Sequence, residues 1–274
     1  MEDSKQIFFL CSLPRSGNTL FSSIMNQNPD IGCTPHSIMP VIMDQLSSIT
    51  GMSIFRNFPD HKSLDNLKSA IYESYYKDWS NKYIIERTPI MHEKYLGFVK
   101  KHLNQPVKCI IIWRDLMDVF ASYIKWIENE PTAFPNQMFP GGTIEQKIMA
   151  LTNRGGAIAT NLESIRNALQ PENRHMCYVL TYDELVSDTE NQIDKIYDFL
   201  EIPKFQHRFK DLDQFTVNGM HYDDIDMGSN FHTIKSEIKK EKNPYRDMIP
   251  ESIVNRYGHI TFENLSLCKH SRLM

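Results

Sequence analysis

Ile7-Phe8-Phe9-Leu10-Cys11-Ser12-Leu13, running directly into Pro14-Arg15-Ser16-Gly17-Asn18-Thr19, is the stretch that decides the fold of this chain. The first seven residues are almost all apolar and have the length of a strand covered on both faces. Pro14 stops the strand, and residues 19 to about 27 read as a helix closed by the Asn28-Pro29-Asp30 turn. A strand that turns sharply into a helix leaves backbone N–H groups free at the helix start. With the positive end of the helix dipole, those amides hold phosphate or sulfate. Gly17 permits the turn. Arg15 adds charge, and the hydroxyls of Ser16 and Thr19 can donate to anionic oxygens. The ATP-binding loop needs Gly-x-x-x-x-Gly-Lys-Ser/Thr, and its first glycine and its lysine are missing here. An ordinary nucleotide triphosphatase is thereby disfavoured.

Outward from this stretch, residues 38–49 and 64–79 carry helical spacing, and residues 83–85 read as a second short strand broken at Thr88-Pro89. Residues 107–113, Val-Lys-Cys-Ile-Ile-Ile-Trp, form the clearest strand, with a helix over residues 116–128. A long helical pattern covers residues 144–169, with Gly155-Gly156 placed to bend it. Residues 176–180 read as a fourth strand and residues 190–200 as a helix ending near Pro203. Strands alternating with helices predict a parallel α/β sheet. Ligands in such sheets bind beyond the carboxyl ends of the strands.

Composition narrows the classes further. With 274 residues and 41% apolar content the chain can bury a full core without staples. The five cysteines, Cys11, Cys33, Cys109, Cys177 and Cys268, are odd in number and form no Cys-x-x-Cys pair, which points to a reducing compartment. No apolar run approaches the roughly 18 residues of a membrane span. The first residues lack the pattern of a signal peptide, so the chain reads as cytoplasmic. A net charge of −4 gives no basic field for nucleic acid. The ten histidines form no His-x-x-x-His or His-Glu-x-x-His pair, so no metal is expected. One local basic stretch, residues 235–242, carries four lysines and two glutamates and reads first as a solvated face.

A second signature follows the third predicted strand: Arg114-Asp115-Leu116-Met117-Asp118-Val119-Phe120-Ala121-Ser122-Tyr123. Arg114 stands at the strand's carboxyl end, and Ser122 lies roughly two turns into the next helix. A planar guanidinium and a short hydroxyl donor can together reach a second phosphate.

These two segments resemble the sulfotransferases that use 3′-phosphoadenosine 5′-phosphosulfate (PAPS), in particular the tyrosylprotein and bacterial branch. Leu13-Pro14-Arg15-Ser16-Gly17-Asn18-Thr19-Leu20 is similar to their 5′-phosphosulfate loop in its arginine form. Arg114 and Ser122 resemble the family's 3′-phosphate pair, although Leu116 stands where proline is common. Leu180-Thr181-Tyr182-Asp183-Glu184-Leu185 resembles a segment whose tyrosine lies near the adenine. The resemblance runs from about residue 7 to residue 203. It implies a three-layer α/β sandwich around a central parallel sheet, related in layout to P-loop nucleotide kinases, with residues 1–274 forming one sulfotransferase domain. It also implies PAPS as the donor, no metal, and a hydroxyl acceptor (carbohydrate, small molecule or peptide tyrosine).

Sulfuryl transfer needs a base, fixed cations and in-line geometry. Aligned without a gap on the tyrosylprotein branch, Pro29-Asp30-Ile31-Gly32-Cys33-Thr34-Pro35-His36 puts His36 at the position of the catalytic glutamate. A histidine with a pKa near about 6.5 is a competent base at neutral pH. Glu86 and His92 are the alternatives. Arg87 stands where the family has a lysine that stabilises the bridging oxygen. Lys235, in a His232-Thr233-Ile234-Lys235 segment similar to one in bacterial members, is a candidate donor contact. Residues 128–142, rich in Pro, Gly and Phe, can line an acceptor cleft as a lid. Two rivals stay open: a Mg-ATP-dependent small-molecule kinase and a non-catalytic nucleotide-binding protein. A homo-oligomer is also left open.

Overall fold

Strand β1 (Gln6–Ser12) is buried at every position except its first, so its sequence has no reason to alternate polar and apolar residues. It is the middle strand of a five-stranded sheet ordered β2–β3–β1–β4–β5 in a computed structural model describing residues 5–221, 233–240 and 243–267. His232, Glu241, Lys242, Cys268 and residues 1–4, which entered the sequence reading, lie outside the described residues.

Helix α1 (Asn18–Met25) returns the chain to β2 (Ile31–Thr34) at one sheet edge. Helices α2 (Met39–Ser48), α3 (Ser53–Asn57) and α4 (His61–Tyr75) then lead to β3 (Tyr83–Arg87). Helix α5 (Glu93–His102) crosses to β4 (Cys109–Trp113). Five helices precede β5 (Cys177–Thr181): α6 (Leu116–Asn129), α7 (Phe134–Met138), α8 (Ile144–Thr152), α9 (Ala157–Ala168) and α10 (Pro171–Arg174). Helices α11 (Tyr182–Ser187) and α12 (Thr189–Leu200) follow. A short antiparallel ribbon, β6 (Thr216–Val217) with β7 (Met220–His221), and helices α13 (Glu251–Tyr257) and α14 (Phe262–Leu265) come last.

All four pairings in the main sheet are parallel, so every strand ends on the same side. Successive side chains of β1 enter two separate cores. Ile7, Phe9 and Cys11 pack with α4, α5, α6 and α9, while Phe8 and Leu10 pack with Phe21 and Ile24 of α1 and Ile193 and Ile196 of α12. The result is the expected helix–sheet–helix sandwich.

Three parts differ from the sequence expectation. Residues 31–34, to which the sequence assigned no element, form an edge strand: all four are buried, and Asn26 anchors it by accepting the Cys33 N–H at 2.8 Å. Gly32 interrupts the apolar run there because a Cβ would lie 3.0 Å from the Trp79 ring. Helix α5 was also not expected. The long pattern over 144–169 is two helices, α8 and α9, parted at Gly155, which has φ 83°.

Because Phe9 is fully buried at the sheet's centre, Phe9→Ala should cost about 3–5 kcal/mol of stability. Urea unfolding would show this as a lower midpoint at an unchanged slope. A cost well under about 1 kcal/mol would contradict this packing.

Candidate active site

The loop after β1 packs two left-handed residues into three positions: Arg15 has φ 63° and Gly17 φ 87°. Gly17 is required twice over. Its dihedral favours glycine, and a Cβ there would lie 2.9 Å from the Tyr182 ring. Asn18 commits its side chain to the loop, donating to the Leu13 carbonyl at 3.1 Å and accepting from the Ser12 hydroxyl. What it offers a ligand is its backbone N–H at the start of α1, where helical amides lack an internal partner. Ser16 is fully buried under the turn and its Oγ has no hydrogen-bond partner.

The loop after β4 is tied to the first. Arg114 Nη1 donates to the Arg15 carbonyl at 2.6 Å, and Arg15 Nε donates to Ser122 Oγ at 3.0 Å. The Arg114 guanidinium also lies 4.4 Å from the centroid of the Tyr182 ring, and its buried Nε has no partner. Local structure explains these positions. Asp115 caps α6 by accepting the Asp118 N–H at 3.2 Å and pairs with Arg246 at 3.2 Å, so it is not spent on Arg114. A capping box between Thr181 and Glu184 starts α11 at Tyr182.

The ends of β2 and β3 supply the third side. Thr34 and Glu86 are in register, which sets the residues after β2 beside those after β3. There Arg87 Nη1 donates to the Pro35 carbonyl and to His36 Nδ1, both at 3.2 Å. An arginine can only donate, so Nδ1 of His36 is the acceptor and a neutral ring carries its proton on Nε2. In this arrangement the lone pair expected to take a proton is given to Arg87.

One cavity of about 730 Å³ is lined by every predicted site residue except Ser16: Arg15, Gly17, Asn18, Thr19, His36, Arg87, Arg114, Ser122, Tyr182 and Lys235. The alternative base His92 does not line it and is paired with Glu163 at 3.1 Å. Of the 128–142 segment, Asn129, Glu130 and Phe134 reach the cavity.

Sequence reasoning passed over Ser37, Thr88 and Tyr123, which also line the cavity. Tyr123 sits next to Ser122 in the quoted motif, yet its place in the apolar stripe of α6 marks it as core. Burial pushes its phenol up to about 12 against the pull of Arg15 and Arg87, so it stays a hydroxyl donor at neutral pH. Glu86, just behind the wall, is fully buried and pushed up to about 7 by burial. It accepts hydrogen bonds from Tyr76 at 2.9 Å and from Thr88. Among the described residues, no group of three or more His, Cys, Asp and Glu is placed to hold a metal, and no helix is long and apolar enough to cross a membrane.

The model of the Sulfotransferase family matches residues 7–207. No protein of curated function matches the sequence. Among solved structures, retinol dehydratase in complex with androsterone and inactive cofactor PAP is similar at 15% identity and TM-score 0.50, over 92% of this chain and 78% of that one. The sulfotransferase domain from the curacin biosynthetic pathway is similar at 14% identity and TM-score 0.49, over 98% and 95%. Mouse sulfotransferase SULT7A1 complexed with PAP is similar at 20% identity and TM-score 0.44, over 74% and 63%. At 15% identity the likeness to retinol dehydratase is one of fold.

Glu86 gives a signed pH dependence. Its carboxyl is raised from 4.5 to about 7, so between those values the folded protein holds a proton that the unfolded chain has released. That part of the stability is present below about pH 4.5 and is lost as pH rises through about 7. Glu86→Gln removes the contribution, so the stability of the variant relative to wild type should climb across this window in denaturant titrations. A constant difference across the window would contradict the buried carboxyl.

Proposed function

The chain belongs to the Sulfotransferase family, and on that footing we propose that it transfers the sulfuryl group of PAPS to a hydroxyl acceptor. The observation that carries this reading is the pair of bonds joining Arg114 to the Arg15 carbonyl and Arg15 to Ser122. They tie the loops after β1 and β4 together along one cavity, which supports a donor with phosphates on both the 3′ and 5′ positions of its ribose. The residues fit such a donor. Ser16 Oγ and Arg114 Nε are buried polar atoms without partners, and the turn at Gly17 leaves no room for a side chain.

In this reading the amides of residues 15–19 and the Arg15 guanidinium hold the 5′-phosphosulfate. Arg114 and Ser122 hold the 3′-phosphate, Tyr182 faces the adenine, and Lys235 contacts the donor from the segment crossing the mouth. Bound PAPS supplies an activated sulfuryl group whose departure leaves charge on a phosphate oxygen. Arg87 stabilises that charge. His36, through Nδ1, holds Arg87 toward the site. Tyr123, a neutral phenol, is a further donor near both arginines. The acceptor side is walled by Pro40, Pro89, Tyr123, Trp126, Phe134 and Leu151, which suits a hydroxyl on an apolar body better than a free sugar.

Calorimetric titration with 3′-phosphoadenosine 5′-phosphate (PAP) tests the donor assignment. Wild type should bind PAP in preference to ATP–Mg²⁺, and Arg114→Ala should weaken PAP by roughly ten- to one-hundred-fold, the value of a charged hydrogen bond. Preference for ATP–Mg²⁺ would make this a kinase-like protein instead.

A further inference from the structure

Glu86 has no part in donor binding, yet it is the carboxyl nearest in the chain to Arg87 and it is fully buried. Burying a carboxylate without a cation is costly. Its ionisation is set by burial against three hydroxyls, those of Thr88, Tyr76 and Ser37, with no cationic side chain contributing. The titratable groups that its charge reaches are the phenols of Tyr72, Tyr75 and Tyr76, at the end of α4. On the flanking strands Phe9 and Thr34 stand in register with it, neither of them charged.

Two of the three hydroxyls connect this carboxyl to the cavity. Tyr76 and Thr88 are both buried, but only Thr88 and Ser37 line the cavity, beside Arg87 and His36. Ser37 already spends a lone pair on the Met39 N–H at 2.9 Å. Thr88 gives its proton to Glu86 Oε1, and a hydroxyl so committed has only lone pairs left for a ligand. The wall at Thr88 therefore accepts hydrogen bonds, and the ligand group that fits it is one carrying a proton to give.

We propose that the acceptor's proton leaves through the Thr88 hydroxyl to Glu86, with Thr88 touching the acceptor and Glu86 acting behind it. The inference rests on the sulfotransferase reading. As the acceptor oxygen forms its bond to sulfur, its proton passes to Thr88 Oγ1 and the proton of Thr88 passes to Glu86. The bond between sulfur and the bridging phosphate oxygen breaks, and the electron pair leaves on that oxygen beside Arg87. Glu86 then returns its proton to solvent after product release. A carboxyl pushed up to about 7 suits this task, because a base works best with a pKa near the operating pH. The geometry at His36 agrees, since its Nδ1 lone pair is occupied by Arg87.

Wild type, Glu86→Gln, Thr88→Val, Thr88→Ser and His36→Gln would be compared by three readings. These are calorimetric binding of PAP, carbon-13 NMR titration of the labelled Glu86 carboxyl, and PAP formation from PAPS with water or benzyl alcohol as acceptor across pH. Wild type, Glu86→Gln and the two Thr88 variants should bind PAP alike. Glu86→Gln and Thr88→Val should lose on the order of 100-fold in kcat, while Thr88→Ser, which keeps the hydroxyl, retains most of it. The wild-type rate should rise with pH along a limb that matches the NMR midpoint of Glu86, vanishes in Glu86→Gln and survives in His36→Gln. Unchanged rates in Glu86→Gln and Thr88→Val, or a limb lost only in His36→Gln, would overturn the relay and leave the sulfotransferase reading intact. So would a wild type that binds PAP yet forms none from PAPS with either acceptor. Failure of wild type to bind PAP would overturn that reading and the relay with it.

Discussion

The hydrogen bond from Arg114 to the Arg15 carbonyl, 2.6 Å long, is the contact on which the site depends. It joins the turns after β1 and β4, which are neighbours only because the sheet places β1 between β3 and β4. With the return bond from Arg15 to Ser122, the two loops are tied to each other in both directions. The same turn brings Gly17 against Tyr182, and the Tyr182 ring against Arg114, so three strand ends share one wall.

The cost of that site is spread through the sheet. A fully buried carboxyl at Glu86, the left-handed backbone of Arg15, and orphaned polar atoms at Ser16 and Arg114 all work against folding. The two apolar cores on either side of the strands offset them. Stability is thus concentrated in the strands, and the strained and charged groups are gathered where the strands end.

Much of this was legible in the chain itself. Residues 7–13 and 107–113 are apolar because both faces of a central strand are covered, and that pattern survives without any partner in view. The two loops that meet in the cavity were legible because each packs its polar residues into a few consecutive positions. Strand β2 was not, since four residues with a glycine carry no periodicity and owe their conformation to Asn26 and Trp79. At Gly155 the sequence showed a bend, and the structure makes it a full break between α8 and α9, which share one apolar pattern. Glu86 was legible only as an alternative base, and Thr88 not at all: in sequence they flank Arg87, and only the packing of Tyr76 and the depth of β3 make a buried carboxyl bonded to two hydroxyls. His36 was found by position, but its tautomer depends on Arg87, fifty-one residues away.

One cavity, lined by residues of both loops, is proposed to hold both ends of a single donor nucleotide. The most direct measurement is a crystal structure of the protein with PAP bound. The 5′-phosphate should lie on the amides of residues 15–19, with the 3′-phosphate within hydrogen-bond reach of Arg114 and Ser122 and the adenine beside Tyr182. A 3′-phosphate bound away from Arg114, or a nucleotide seated outside this cavity, would contradict it.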